Sequence, residues 1–220
     1  MKLDTKTVNV LKNFSNINPS ILFKEGNVLS TISPSKTVLA KAKVPANFAN
    51  RFAIYNLTRF LGSISLMNDP ELEFSDKFVK ISDGNGTSCN YTYADETTIK
   101  TPPEKELKLP SVDAKVNFTD SSLKEIIRAS GALQLPEIAF VGDGTDVYLQ
   151  AMDVKNPSGD IFKIKLGTTD KNFLVIFKTE NIIKIISGDY TVNISSKGIS
   201  HFEGPDVEYW IAVETTSTFG

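Results

Sequence analysis

Thr119 to Leu133 reads TDSSLKEIIRASGAL, and the spacing of its apolar residues predicts an amphipathic helix. Thr119 or Asp120 is a suitable N-cap, and Ser122 with Glu125 forms an alternative capping box. The residues of the predicted buried stripe recur every three or four positions: Leu123, Ile126, Ile127, Ser130 and Leu133. Lys124 and Arg128 fall on the opposite side. One face of this helix is therefore predicted to be core and the other basic.

Three other segments repeat this combination of an apolar stripe with a cation opposite it: about Asp4 to Ile17, Leu57 to Leu66, and about Thr179 to Ser187. The first stripe comprises Leu3, Thr7, Val10, Leu11, Phe14 and Ile17, and the second comprises Leu57, Phe60, Leu61 and Ile64. The opposed cations are Lys12, Arg59 and Lys184, and Lys2 and Lys6 flank the first stripe. A solvated polar face explains one such helix, but four together predict a shared basic surface.

Short β-type runs separated by turn sequences follow each predicted helix. They are expected at residues 21–24, 28–33, 37–44, 52–55, 71–74, 77–82, 87–93, 112–118, 137–141, 146–154, 160–167, 172–177, 190–195, 198–203 and 207–214. Asp83-Gly84-Asn85-Gly86 and Gly142-Asp143-Gly144-Thr145 have the composition of hairpin turns. The order of elements predicts an α+β fold in which helices pack on antiparallel sheets.

Residues 97–110, TTIKTPPEKELKLP, combine three prolines with alternating charges, which favours an extended connector over core structure. We expect an N-terminal domain at 1–109 that includes this connector, and a C-terminal domain at 110–220. Helix followed by strands occurs twice in each half, so the halves repeat one plan.

Composition excludes several classes of protein. No apolar run approaches the roughly 20 residues that a membrane-spanning helix needs, and the first ten residues lack the apolar core of a secretory signal. We therefore expect a cytosolic protein that does not bind membranes. Cys89 is the single cysteine and lies far in sequence from His201, the single histidine, so it is predicted to be an ordinary strand residue.

The sequence also lacks the motifs of an enzyme. It has no G-x-S-x-G motif, no nucleotide-binding loop and no clustered carboxylates, which argues against a hydrolase and against any cofactor or metal. The formal net charge of -2 argues against a surface that is basic all over. If one side carries the five opposed cations, the rest of the surface must be acidic.

A basic surface made of helix faces suits a polyanion, but the sequence contains no known base-recognition motif. It has no helix-turn-helix spacing, no Cys/His finger, no RNP-like aromatic strand pair and no Arg-rich arm. Scattered Lys and Arg contacts to phosphates position a protein on DNA without specifying sequence, and they permit sliding.

From end to end the chain resembles the sliding clamps, the DNA polymerase processivity factors, of T-even-type bacteriophages. The order and spacing of many short matches carry this resemblance: Met1-Lys2-Leu3, Leu11-Lys12-Asn13-Phe14, Ile17-Asn18, Ala53-Ile54-Tyr55, Leu57, Phe60-Leu61-Gly62, Ser65-Leu66, Asn68-Asp69, Arg128, Ser130-Gly131, Leu133-Gln134, Ile138-Ala139, Tyr190, Lys197-Gly198, Phe202-Glu203-Gly204, Tyr209, Ala212 and Glu214. The stretches from Asp69 to Pro110 and from Asp143 to Thr179 diverge.

This resemblance implies a two-domain subunit in which each domain duplicates a βαβββ unit, with three subunits in a ring around double-stranded DNA. Helices would line the hole and antiparallel sheets would form the outside. The residues facing DNA would be Lys12, Arg59, Lys124, Arg128 and Lys184, with Lys2 and Lys6 as further candidates. The ring would be non-enzymatic and would tether the replicative polymerase in the cytoplasm of the phage host.

The resemblance also implies partners. An ATP-dependent clamp loader would place the ring on DNA, and late-transcription factors would use it in phage late transcription. The family binds partner tails in an apolar pocket near the domain junction. Leu107 and Leu109 of the connector are the candidates for that pocket, and ordinary packing is the alternative for both. A phage tail or baseplate β-rich protein is the competing class, although it does not account for four helices with opposed cations.

Overall fold

The computed structural model describes residues Met1 to Gly220, which divide into two compact units. We call Met1–Glu104 unit 1 and Lys105–Gly220 unit 2. Each unit has two α-helices: α1 Thr5–Ile17 and α2 Leu57–Ser65 in unit 1, and α3 Asp120–Ala132 and α4 Thr179–Ile182 in unit 2. None of these helices is long and apolar enough to cross a bilayer.

Unit 1 contains seven strands: β1 Ile21–Phe23, β2 Gly26–Ile32, β3 Val38–Phe48, β4 Phe52–Ile54, β5 Glu71–Phe74, β6 Phe78–Ser82 and β7 Ser88–Thr92. All the strand pairs within this unit are antiparallel: β1 with β4, β2 with β3, and β6 with both β5 and β7. A short 3-10 helix, Glu96–Thr98, follows β7.

Unit 2 contains nine strands: β8 Ala114–Phe118, β9 Glu137–Asp143, β10 Asp146–Met152, β11 Phe162–Thr168, β12 Asn172–Lys178, β13 Tyr190–Ser195, β14 Ile199–Glu203, β15 Val207–Ala212 and β16 Thr218–Phe219. They pair antiparallel in two groups, ordered β15-β14-β13-β8 and β11-β10-β9-β12-β16. The predicted α+β class with antiparallel sheets is confirmed.

The order strand, helix, three strands occurs twice in unit 2, as β8-α3-β9-β10-β11 and β12-α4-β13-β14-β15. In unit 1 it occurs once, as β4-α2-β5-β6-β7, because no strand precedes α1. Met1 partly takes the place of that strand. Its amino group donates to the Leu72 carbonyl at 2.7 Å, and the Leu72 N–H donates back to Met1 at 2.8 Å, so Met1 covers one side of β5.

Aromatic side chains fill the core of each unit. In unit 1, Phe23 stacks on Phe52 with ring centroids 4.5 Å apart and meets Phe48 at 4.8 Å. In unit 2, Phe202 packs on Phe177 at 5.5 Å and also contacts the rings of Phe118 and Phe140. Each of these buried rings removes a large apolar area from water, so the two aromatic clusters are a major source of stability.

Each unit has end strands with no strand on their second side, and we consider one from each unit. They are β7, at the end of the order β5-β6-β7, and β11, at the end of the order β11-β10-β9-β12-β16. Strand β11 carries exposed Lys163 and Lys165 between half-buried apolar residues. An uncovered strand edge presents unpaired N–H and C=O groups to any extended partner.

The predicted helix over 179–187 is wrong in length, since α4 ends at Ile182. Its cap position, Lys178, provides no side-chain hydrogen bond, and its β-branched residues have low helix propensity. The backbone of Ile186, which would continue the helix, is held by the sheet instead. Its N–H donates to the Tyr209 hydroxyl at 3.0 Å and its carbonyl accepts from the Tyr190 hydroxyl at 2.8 Å.

The buried stripe of α3 also differs from the prediction. Leu123, Ile126 and Ser130 are buried, but Ile127 is half-buried and Leu133 is 42% exposed. The chain leaves the helix at Leu133, and Gln134 adopts a positive φ of 55°. This turn carries Leu135 into the core in place of Leu133, with the Leu135 N–H bonded to the Ser130 carbonyl at 2.8 Å.

Both predicted hairpin turns are present. Gly84 and Gly86 between β6 and β7, and Gly144 between β9 and β10, have positive φ, which glycine tolerates without strain. Strand β16 was not predicted. It adds to β12 through the pairs Phe173–Phe219 and Leu174–Thr218, which two residues of sequence do not signal.

The first part of the expected connector is fastened to unit 1. The Asn18 side-chain amide donates to the Lys100 carbonyl at 3.0 Å, and the Lys100 ammonium donates to the Pro34 carbonyl at 2.8 Å. Lys24 forms an ion pair with Glu104 at 2.8 Å. These contacts extend unit 1 up to Glu104, within the segment 97–110 where the sequence predicts the connector.

Candidate nucleic-acid interface

Helix α1 holds Lys12 on its exposed side. The Asp4 carboxylate caps the helix by accepting from the Thr7 N–H at 2.9 Å, and the predicted stripe is buried from Thr7 to Ile17. Lys12 lies away from that stripe, is exposed, and forms no ion pair. Its ammonium is therefore available to an anion from solvent.

Helix α2 holds Arg59 in the same manner. The Asn56 side chain caps the helix by accepting from the Arg59 N–H at 2.9 Å, and all four predicted stripe residues are buried. Arg59 is exposed and has no carboxylate partner. Since α1 packs against α2, both cations belong to one two-helix layer of unit 1.

Arg59 also lines an open cavity of about 420 Å³ between the start of α2 and strand β7. Tyr55, which is 64% exposed, and Tyr91 contribute aromatic walls. The Tyr91 hydroxyl donates to the Asn56 carbonyl at 2.9 Å, and burial raises the pKa of this tyrosine. Cys89 lies on the same wall as a half-buried residue of β7, so its prediction as a strand residue is confirmed. This cavity was not predicted, because its two sides are more than twenty residues apart in the sequence.

Helix α3 presents its two cations differently. Thr119 is the N-cap, accepting from the Ser122 N–H at 3.2 Å, so the alternative capping box is not used. The Lys124 ammonium is bound to the Asp120 carboxylate one turn earlier, and this contact lowers the pKa of Asp120. Arg128 is exposed and forms no ion pair. The Asp120–Lys124 pair was readable from its i, i+4 spacing but was not predicted.

Two of the predicted cations do not lie on a helix. Lys2 precedes α1 and is bound by Asp69, with Glu71 at 3.7 Å. Lys184 follows the shortened α4 and is half-buried, so its predicted position opposite a helical stripe is wrong. Lys6 is exposed on the first turn of α1. Lys12, Arg59 and Arg128 are thus the predicted cations that lie exposed on a helix and form no ion pair.

Leu107 and Leu109 lie in the first residues of unit 2 and are both half-buried between exposed neighbours. Their side chains alternate with charged residues, as the sequence indicated. Their assignment to a partner pocket stays a prediction.

Solved structures of similar shape define the class of fold. The chain matches proliferating cellular nuclear antigen (PCNA) from Thermococcus kodakaraensis with a TM-score of 0.69 and 14% identity, over 96% of this chain and 98% of that one. It matches A. fulgidus PCNA, solved with the C-terminal region of FEN-1 bound, with the same TM-score and identity, over 96% of both chains. The architecture is that of a DNA clamp, as predicted.

Sequence similarity identifies the family within this class. Residues 2–100 match the family described as DNA polymerase processivity factor, and residues 115–215 match the C-terminal domain of the gp45 sliding clamp. The sliding clamp of Vibrio phage KVP40 is 33% identical over 220 residues, 97% of this chain and 99% of that protein. The sliding clamp of Enterobacteria phage T4 is 30% identical over 99% of both.

The chain therefore belongs to the bacteriophage sliding-clamp family of DNA polymerase processivity factors. The resemblance noted from the sequence is confirmed, and so is the predicted function as a sliding clamp in DNA replication. The family is one without catalytic chemistry. Nothing among these similarities supports the competing tail or baseplate protein.

Proposed function

We propose that this chain forms a closed ring on double-stranded DNA, slides along it without reading sequence, and tethers the phage replicative polymerase in the host cytoplasm. The observation that carries the proposal is the set of exposed cations opposite the buried stripes of α1, α2 and α3, of which Lys12, Arg59 and Arg128 have no ion pair. Such side chains attract phosphates but contribute no base recognition. The ring itself performs no reaction.

The ring closes through three copies joined head to tail. Uncovered edges on β7 in unit 1 and β11 in unit 2 support this arrangement, because two different edges on one chain favour a heterologous joint that closes by rotation. Charge supports it as well. Unit 1 has twelve Lys and Arg against ten Asp and Glu, and unit 2 has twelve against sixteen. Unit 1 of one copy therefore attracts unit 2 of another copy.

Partner proteins bind the ring by their tails, and an ATP-dependent clamp loader opens it. One relative in fold, A. fulgidus PCNA, has been solved with the C-terminal region of FEN-1 bound, which is an example of tail recognition by this architecture. Half-buried Leu107 and Leu109 are our candidates for the apolar contact with such a tail. Late-transcription factors are proposed as further users of the same ring.

Polymerase stimulation on primed circular DNA tests the central proposal. The variant Lys12→Glu/Arg59→Glu/Arg128→Glu should reduce stimulation at least tenfold, while light scattering still gives the mass of the wild-type assembly. Three exposed lysines outside the helices provide a control with the same change of charge, and the triple variant Lys77→Glu/Lys155→Glu/Lys197→Glu should leave stimulation intact. Full stimulation by the Lys12→Glu/Arg59→Glu/Arg128→Glu variant would contradict the proposal.

Cysteine cross-linking tests the joint separately. Cys89 in β7 is the only cysteine, so single cysteines placed in turn at Lys163, Ile164, Lys165 and Leu166 of β11 create one new partner for it. Oxidation should produce a covalent trimer for at least one position, and this product should disappear with Cys89→Ser. The absence of cross-linked species at every position would exclude the β7–β11 joint without affecting the DNA assignment.

A further inference from the structure

The two units present their helices with different charge, although the sequence predicted a cation on each. Helices α1 and α2 carry three cations, Lys6, Lys12 and Arg59, and contain no acidic residue. Helices α3 and α4 carry two cations, Lys124 and Arg128, against three acids, Asp120, Glu125 and Glu180. The helix layer of unit 1 is thus +3 and that of unit 2 is -1.

Ion pairing widens this difference. Lys124 is held by Asp120, so the ammonium must leave a carboxylate before it can bind a phosphate. Glu125 is half-buried three residues before Arg128, on the neighbouring turn of α3. In unit 1, Lys12 and Arg59 have neither an ion pair nor an acid on their own helix. Lys12 and Arg59 are therefore free to bind, whereas most of the positive charge on α3 is already compensated.

The start of α2 shows the same contrast with the starts of α3 and α4. Asp120 and Glu180 lie in the first turns of α3 and α4, where the partial positive charge of a helix N-terminus would otherwise attract an anion. In unit 1, α1 also starts with a carboxylate, that of its cap Asp4, whereas α2 starts at the uncharged Asn56 and has no acid in its first turn. A phosphate approaching unit 2 meets carboxylates at both helix starts.

We infer that DNA is held mainly by the helices of unit 1, and that the helices of unit 2 form a near-neutral wall along which it slides. This inference rests on the proposed function, since it assigns most of the phosphate binding by the proposed basic lining to Lys12 and Arg59. In a ring of three copies, three basic sectors would alternate with three neutral ones. The duplex would then lean towards one unit 1 surface at a time and exchange between sectors as it moves.

Matched double variants test this inference by equilibrium binding of the purified full chain to a short fluorescent duplex over a series of salt concentrations. Each phosphate contact contributes about -0.9 to the slope of log K against log salt. Lys12→Gln/Arg59→Gln should weaken binding at least tenfold and make the slope shallower by at least about two. Lys124→Gln/Arg128→Gln removes the same charge but should change the slope by less than about one.

The slope separates direct contact from general attraction, because both doubles alter the overall charge equally. Circular dichroism and light scattering on each variant check that fold and assembly are retained. Equal changes of slope in the two doubles, or a larger change in the unit 2 double, would overturn the inference and leave the sliding ring standing. If neither double altered binding of a duplex that the wild type holds, both the inference and the DNA-facing assignment would be wrong.

Discussion

The two units of the molecule share a fold plan and an aromatic core, but their second helices differ. In unit 1, α2 runs for nine residues and begins at the Asn56 cap. In unit 2, α4 runs for four residues, has no side-chain cap, and gives way to a segment held by Tyr190 and Tyr209. Apolar periodicity alone predicted both helices equally well. The comparison shows that where a helix ends depends on which partners satisfy its backbone.

The largest effect is expected in the cores, where the units are alike. Phe23 of unit 1 and Phe202 of unit 2 are both fully buried among other rings. Phe23→Ala and Phe202→Ala should each lower the free energy of unfolding by about 3–5 kcal/mol. Urea denaturation measures this. A loss below about 1 kcal/mol for one of them would break the equivalence of the two cores.

The next largest effect on stability is expected at Tyr190 and Tyr209, whose hydroxyls bond the backbone of Ile186 beyond the end of α4. Tyr190→Phe leaves the Ile186 carbonyl without its donor, which should cost about 1–2 kcal/mol at neutral pH. Burial raises the pKa of Tyr190 and Tyr209 above the ordinary value of 10.0. Because the folded pKa is raised, their stabilisation is complete below pH about 10 and is lost as the pH rises above it.

Thermal midpoints measured between neutral and strongly alkaline pH test this sign. The wild-type midpoint should fall above pH about 10 more steeply than that of Tyr190→Phe, so the gap between the two proteins narrows. Parallel curves for the two proteins would mean that this hydroxyl does not titrate with unfolding.

A smaller effect is expected at the helix starts. Asn56→Ala removes the side-chain acceptor for the Arg59 N–H and should cost about 1 kcal/mol. Lys178 occupies the corresponding position before α4 but makes no capping bond, so Lys178→Ala should stay within about 0.5 kcal/mol of wild type. Chemical denaturation of both variants measures the loss in the free energy of unfolding. Equal losses for the two variants would contradict the proposed difference between the starts of α2 and α4.

The smallest effect on stability is expected for Asp120→Asn, because an exposed ion pair contributes little. This change releases Lys124 on α3, so the attraction of unit 2 for DNA should become more similar to that of unit 1. A tighter complex with a short duplex at low salt, and a steeper salt dependence, are the expected outcomes. An unchanged affinity would show that Asp120 does not restrain Lys124.

The features that the sequence predicted correctly are local. The buried stripes of α1 and α2 and the Thr119 cap follow from spacing within one turn, and glycine at the hairpin turns follows from the backbone angles needed there. The exposed position of Lys12, Arg59 and Arg128 follows from the same periodicity.

The features that were missed depend on residues far along the chain. The end of α4 is determined by Tyr209, more than twenty residues later, and strand β16 exists only because β12 offers an edge. Lys184 was misplaced because the helix that would have carried it stops early. Leu133 was misplaced because Gln134 turns the chain and Leu135 fills the core.

If β7 and β11 form the proposed joint between copies, the stability of this protein depends on its concentration. When backbone groups find their partners only in another molecule, folding and association are coupled, and mass action favours the native chain at higher concentration. Its melting temperature should therefore rise with the amount of protein in the cuvette. Melting temperatures of this protein can therefore be compared only at the same protein concentration.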